Sequence, residues 1–156
     1  MEGKENKKTC SFYASEYHFD MMAISYIKEE LRKDKKIVVL TEKDLEKSVK
    51  TVVGKMNLND DEIRNIMEIN WKEENFNKFK EIKENKERKK DILVLIKGNQ
   101  NYIKNVNDNI QKFVNNYSDI KIVDFYDIEE IKNNRNNICN NYDKMINMLG
   151  EVNIKK

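Results

Sequence analysis

Apolar residues fall into two kinds of run along this chain, and their alternation predicts its elements. Residues 37–40 (Ile-Val-Val-Leu) and 92–96 (Ile-Leu-Val-Leu-Ile) are uninterrupted apolar blocks, the pattern of strands covered on both faces in a parallel sheet. A shorter block at 10–14 and the segment 120–125 (Ile-Lys-Ile-Val-Asp-Phe) predict two more strands. Residues 66–71 alternate Ile66, Glu68 and Asn70 against Met67, Ile69 and Trp71, which predicts a fifth, more exposed strand.

Helical spacing fills the intervals. Phe19, Met22, Ala23, Tyr26, Ile27 and Leu31 recur at threes and fours, and so do Leu45, Val49, Val52, Val53 and Met56. Phe76, Phe79 and Ile82 give a narrow stripe on a charged helix over 73–90, whose run KENKERKK reads as a solvated helix end. Ile103, Val106, Ile110, Phe113, Val114 and Tyr117 define a long helix over 99–117, ending at Ser118-Asp119. A last helix is predicted over 127–149 from Ile128, Ile131, Ile138, Tyr142, Met145 and Leu149, with Gly150 at its end.

Capping residues sharpen these boundaries. Ser15 is placed to cap the helix that begins near Glu16, and Asn99 to cap the one that follows 92–97. Thr41 with Asp44 resembles a capping box, and a helical turn is expected to start at Asn59. Strict strand–helix alternation implies an α/β fold: one three-layer domain, a mostly parallel five-stranded sheet and helices on both faces. The expected organisation is a flexible tail over 1–8, a single domain over 9–150 and a flexible tail over 151–156.

Composition narrows the function classes. In 156 residues, 30 Lys+Arg stand against 28 Asp+Glu for a net +2, which lacks the basic surplus of a nucleic-acid-binding face. A mean hydropathy of -0.88 reflects a heavily charged surface, since the apolar residues still gather into periodic blocks. No run approaches the roughly 20 apolar residues of a membrane span, and MEGKENKK precedes no signal-peptide core; a cytoplasmic location is expected. Cys10 and Cys139 are too few and too far apart for a metal cluster or disulfide framework and read as inert core thiols. The many Asn residues accompany abundant Lys and Ile with no Pro, a bias that AT-rich coding produces by itself.

In open parallel sheets, ligands bind beyond the carboxyl ends of the strands, where loops converge. Those positions carry Ser15 and Glu16, Thr41 and Glu42, Trp71 and Lys72, the stretch 98–100, and Tyr126 and Asp127. The first loop reads ASEYHF, with neither a P-loop nor a dinucleotide glycine pattern, so phosphate chemistry has no support there. His18, the only His, is either an exposed surface residue or an anion contact at a helix start. Glu16, Glu42 and Asp127 read as caps and loop acids, or as carboxylates that converge. Tyr13, Tyr17, Trp71 and Tyr126 either pack at the sheet rim or wall a pocket for a flat ligand. The ligand-binding candidates are therefore Tyr13, Ser15, Glu16, His18, Thr41, Trp71, Asn99 and Tyr126; no catalytic set, metal site or cofactor is implied.

The N-terminal half, TCSFYASEYHFDMMAISYIKEELRKDKKIVVLTEKDLEKSVK, resembles the MEDS family of sensory domains, which occur beside DNA-binding or signalling modules. The resemblance rests on Phe12-Tyr13 closing the first strand, the Ser15-Glu16 helix start, a helix ending around Leu31 and Thr41 at a strand tip. IKGNQNYIKNVNDNI and IKIVDFYDIEEI look similar in layout, while Lys7-Lys8-Thr9 stands where members carry a His. The resemblance implies a degenerate RecA-type domain without a working P-loop. The expected function is a non-catalytic sensory or regulatory module that takes a small-molecule ligand or a regulatory protein partner, with no direct nucleic-acid or membrane contact. Two other classes stay open: an enzyme acting on a nucleotide or phosphorylated ligand through Glu16, Glu42 or His18, and an adaptor that forms a homodimer through the helices at 99–117 and 128–149.

Overall fold

The computed structural model describes residues 8–88, 91–113 and 120–154. In chain order the elements are β1 (Thr9–Tyr13), α1 (Glu16–Leu31), β2 (Lys36–Thr41), α2 (Glu46–Val53), α3 (Asp60–Met67), α4 (Phe76–Arg88), β3 (Ile92–Lys97), α5 (Gln100–Phe113), β4 (Ile120–Asp127), α6 (Arg135–Cys139), β5 (Lys144–Asn147) and β6 (Gly150–Asn153). They build one α/β sheet of six strands, not the five expected, in the order β2-β3-β4-β1-β5-β6. All neighbours run parallel except β5 and β6.

Each face of the sheet has its own core. Phe19, Ala23 and Ile27 of α1, Val49 and Val53 of α2 and Ile66 of α3 cover one face, against Val39, Leu95, Val123 and Phe125. Ile82 of α4, Ile103, Val106 and Ile110 of α5 and Ile138 of α6 cover the other, against Cys10, Val38, Val94 and Ile120. The two continuous apolar blocks are buried along their whole length in β2 and β3 because helices sit on both sides of them.

Three expectations are corrected. Residues 66–71 form no strand: α3 occupies the first two of them, and the chain then bends. A complete capping box, Asn59 with Glu62, starts that helix, and Ile63, Ile66 and Met67 follow helical spacing. The alternation at 66–71 is a by-product of the helix end, where Trp71 folds back and its indole N–H donates to the Ile66 carbonyl at 2.9 Å.

The long helix expected over 127–149 is also absent. A run of turns leads into the five-residue α6, and then a β5–β6 hairpin closes the sheet edge. The segment 133–141 is dense in Asn, whose side chain competes with the helical backbone for hydrogen bonds. Gly150 is the hairpin residue facing Asn147 at φ +119°, a left-handed conformation that a glycine tolerates, and does not end a helix. Strand β6 therefore occupies 150–153 where a tail is expected; residues 1–7 and 155–156 lie outside the described residues.

Third, Thr41 does not cap the helix after β2. Its hydroxyl closes a turn with the Lys43 amide and carbonyl, and α2 starts only at Glu46, whose N–H is accepted by Asp44. Elsewhere the expected caps hold: Ser15 accepts from the His18 N–H at 3.0 Å and Asn99 from the Tyr102 N–H at 2.8 Å. Phe76 is exposed, so the buried stripe of α4 is Phe79, Ile82 and the stem of Lys78, whose ammonium bonds the Lys72 carbonyl. Val114, Tyr117, Ser118 and Asp119 of the next predicted helix lie outside the described residues. Cys10 is buried and its thiol pushed up to about 12 by desolvation, whereas Cys139 is only half-buried.

Candidate functional site

The connection from β1 leads by α1 across one face to β2, whereas that from β4 leads by α6 across the other face to β5. Departure in opposite directions leaves a crevice beyond the carboxyl ends of β1 and β4, the position where open α/β sheets bind ligands. Register brings the strand tips level there: Tyr13 pairs with Asp127, Thr41 with Lys97, and Lys97 with Phe125. The crevice encloses about 280 Å³.

Four carboxylates line it: Glu16 from the first turn of α1, Glu42 after β2, Asp127 at the end of β4 and Glu130 just beyond. Two lysines, Lys43 and Lys97, stand against them. Lys97 is nearly buried, and its ammonium bonds Glu16 at 2.8 Å while lying 5.0 Å and 5.1 Å from the ring centres of Tyr13 and Phe19. Pairing plus two ring faces offsets part of the desolvation of this cation.

Tyr13 sits in the middle of the acids. Burial raises its phenol above the ordinary range, and Glu16, Asp127, Glu130 and Glu42 all push in the same direction. The hydroxyl therefore stays protonated at any ordinary pH and can donate to a ligand. Glu130 is raised as well, by desolvation first and then by Asp127 and Glu42, against a backbone hydrogen bond from Gln100.

Backbone geometry holds the far wall. Glu42 accepts from the Asn99 N–H at 2.7 Å and from the Asn99 side-chain amide at 3.3 Å, at the N-terminus of α5. Gly98 permits this approach, since a Cβ there would lie 2.6 Å from the Glu42 carboxylate and 2.5 Å from the Tyr102 ring.

Of the eight sequence candidates, Tyr13, Glu16, Thr41 and Asn99 line the crevice. Ser15 and His18 do not line it and are occupied by the helix start: the His18 Nδ1 accepts from the Ala14 N–H at 2.9 Å, and the Ser15 hydroxyl meets the His18 backbone rather than its ring. Trp71 is fully buried in the core beside α1 and α3 and does not line the crevice. Tyr126 points to the opposite sheet face, where its hydroxyl meets that of Tyr142 at 2.6 Å. The convergence of Glu16, Glu42 and Asp127 comes from strand register, and among the described residues no acid, His or Cys group is arranged to hold a metal. Lys97, Glu130 and Lys43 are additions that sequence reasoning missed; a charged residue closing the apolar run 92–96 is the one signal for Lys97.

A second and larger space lies on the α5–α6 face. It is a groove of about 720 Å³ between α5 and the α6 segment, with β4 as its floor. At its base the Tyr142 hydroxyl donates to Asp124 at 2.6 Å, and the Asn107 amide donates to the other carboxylate oxygen at 3.1 Å. Desolvation raises Asp124 to about 6, although both hydrogen bonds oppose the shift.

No family model, curated protein or solved structure matches the chain. Among the described residues, no helix is long and apolar enough to cross a membrane.

Proposed function

We propose that this chain is a non-catalytic regulatory module that binds a small, amine-bearing molecule in the strand-end crevice and reports its occupancy to a partner protein. One observation carries the reading: Tyr13 and four carboxylates from three strand ends converge on a single 280 Å³ space at the topological switch point. The excess of carboxylate over ammonium groups favours a cation and repels phosphate. That charge balance weighs against a nucleotide-processing enzyme.

The groups that would serve as acid or base support a binding role. Glu16 is paired with Lys97, Glu42 is tied to Asn99, and the His18 Nδ1 is used by a backbone amide. A sensory role agrees with the likeness of the N-terminal half to MEDS domains. An adaptor that dimerises through two long helices has less support, because the apolar stripe of α5 packs on its own sheet and the second helix is replaced by α6 and a hairpin.

Thermal-shift titration with putrescine, spermidine, lysine and arginine, with AMP and inorganic phosphate as anionic arms, tests the reading. A ligand that binds only the folded chain raises Tm with concentration. An amine should do so, and Glu42→Gln with Asp127→Asn should reduce the shift at a given concentration at least by half. A response to AMP or phosphate alone, or an amine response that the double variant leaves intact, would overturn it.

A further inference from the structure

The geometry points to a second binding site, the groove between α5 and the α6 segment, built for an uncharged ring-shaped molecule whose rim both donates and accepts hydrogen bonds. The groove exists because α6 has only five residues and does not run the length of the sheet. Its 720 Å³ falls within the roughly 300–1,000 Å³ of small-molecule sites.

Amides form both walls. Gln100, Asn101, Asn107 and Gln111 line it from α5, and Asn134, Asn137 and Asn141 face them from the α6 side. Some are already linked: Asn134 donates to Gln100 at 3.1 Å and Asn137 to Asn134 at 3.1 Å. Each amide offers donors and an acceptor without charge, and paired amide contacts are how Asn and Gln read the edge of a purine. What the sequence presents as a compositional excess of Asn is gathered by the fold onto one cavity.

The floor is apolar, with Ile120 and Ile122 of β4 between Ile103 and Ile138. A flat ring can lie against those side chains while its edge meets the amides. Asp124, nearly buried at the base, is held by Tyr142 and Asn107, and Tyr126 donates in turn to Tyr142 because Tyr142 gives its own proton to Asp124. This satisfied network makes the base rigid.

Charge selects against ions. The lining holds two lysines and two acids: Lys104 is paired with Asp108 at 3.1 Å, and the charge of Lys8 acts on the buried Asp124, so the groove presents neither a cluster of cations for phosphate nor a set of carboxylates for an amine. The shared chemistry is that of a nucleoside, its free base or a monosaccharide.

Calorimetric titration of the full chain with adenosine, guanosine, adenine, glucose and galactose, and with AMP as a charged arm, decides the matter. One of the neutral rings should bind, the purines and sugars telling the two sources apart. The paired variant Asn101→Ala with Asn137→Ala should weaken it at least tenfold, with the Tm of the free protein unchanged. Gln111→Ala, exposed on α5, is the second variant should the pair be destabilised. Glu42→Gln in the strand-end crevice should leave this affinity unaltered, which separates the groove from the amine site. Absence of binding by every neutral ring, tighter binding of AMP than of adenosine, or loss of binding in Glu42→Gln alone would overturn the proposal.

Discussion

Lys97 carries the sharpest test at the scale of single residues. Its side chain is 6% exposed, whereas the Glu16 side chain with which it pairs is 57% exposed. Removing the carboxylate strands a buried cation, while removing the cation leaves an acid that water can solvate. Glu16→Gln should therefore destabilise by about 1–2 kcal/mol, a figure reduced from that of a fully buried pair because one partner is wet. Lys97→Met, which fills the same volume between Tyr13 and Phe19 with apolar atoms, should change stability by less than about 1 kcal/mol. Urea denaturation of both variants gives the order, and a larger loss in Lys97→Met would show that the two ring contacts outweigh the desolvation of the cation. Neither residue is recognisable as a pair from the sequence, in which they stand 81 positions apart; only the register of β1, β3 and β4 brings them together.

The elements that were legible are those where local and tertiary signals agree. β2 and β3 are continuous apolar blocks, α1 combines a Ser15 cap with an unbroken stripe, and Asn99 starts α5 as its position suggests. The failures fall where a short-range pattern competes with a stronger local device. At α3 the reciprocal bonds between Asn59 and Glu62, 2.8 Å and 3.0 Å, outweigh an alternation of six residues. Glu62 also lies 3.8 Å from Lys28 and 3.5 Å from Arg32, so the cap anchors α3 against α1. Asn59→Ala should cost about 1 kcal/mol. Trp71→Ala, which empties a fully buried site and removes the bond to Ile66, should cost about 3–5 kcal/mol. Chemical denaturation followed by far-ultraviolet circular dichroism measures both; an Asn59→Ala midpoint equal to that of the parent would mean that α3 is held by its core contacts alone. In the segment 127–149 the sequence offers apolar residues at helical spacing, but the gap between Ile131 and Ile138 is filled with Asn, and the hairpin at Gly150 becomes visible only once β1 has a free edge to extend.

For the molecule as a whole, strand order was the hidden variable: strand–helix alternation implies a parallel sheet, but only β1 lying between β4 and β5 places the crevice. Of the three buried acids among the described residues, Glu30 is bonded by Lys33 and Lys35, whereas the two that lack a lysine partner lie on opposite faces, Asp20 on the α1 side and Asp124 beneath the groove. Desolvation is the first cause of both shifts, and each carboxyl rises from 3.8 to about 6. Between about pH 4 and 6 the folded chain consequently holds more protons than the unfolded one, so stability falls as pH rises through that window and acidification from neutrality should strengthen the fold. Asp124 alone should account for about 2–3 kcal/mol, from a shift of about two pH units at 1.36 kcal/mol each. Glu30, where the bonds from Lys33 and Lys35 overcome desolvation, and Glu62, held down chiefly by the Asn59 amide, have lowered values and act oppositely; their stabilisation is lost as pH drops below the usual carboxylate range. The two effects together place the stability maximum near pH 5, on the acid side of neutrality. Urea midpoints measured from pH 4.5 to 8 should trace that maximum, and Asp124→Asn should flatten the descent between pH 5 and 7. A midpoint that climbs steadily towards pH 8 would mean that Asp124 is adequately solvated beneath the groove and that burial does not raise it.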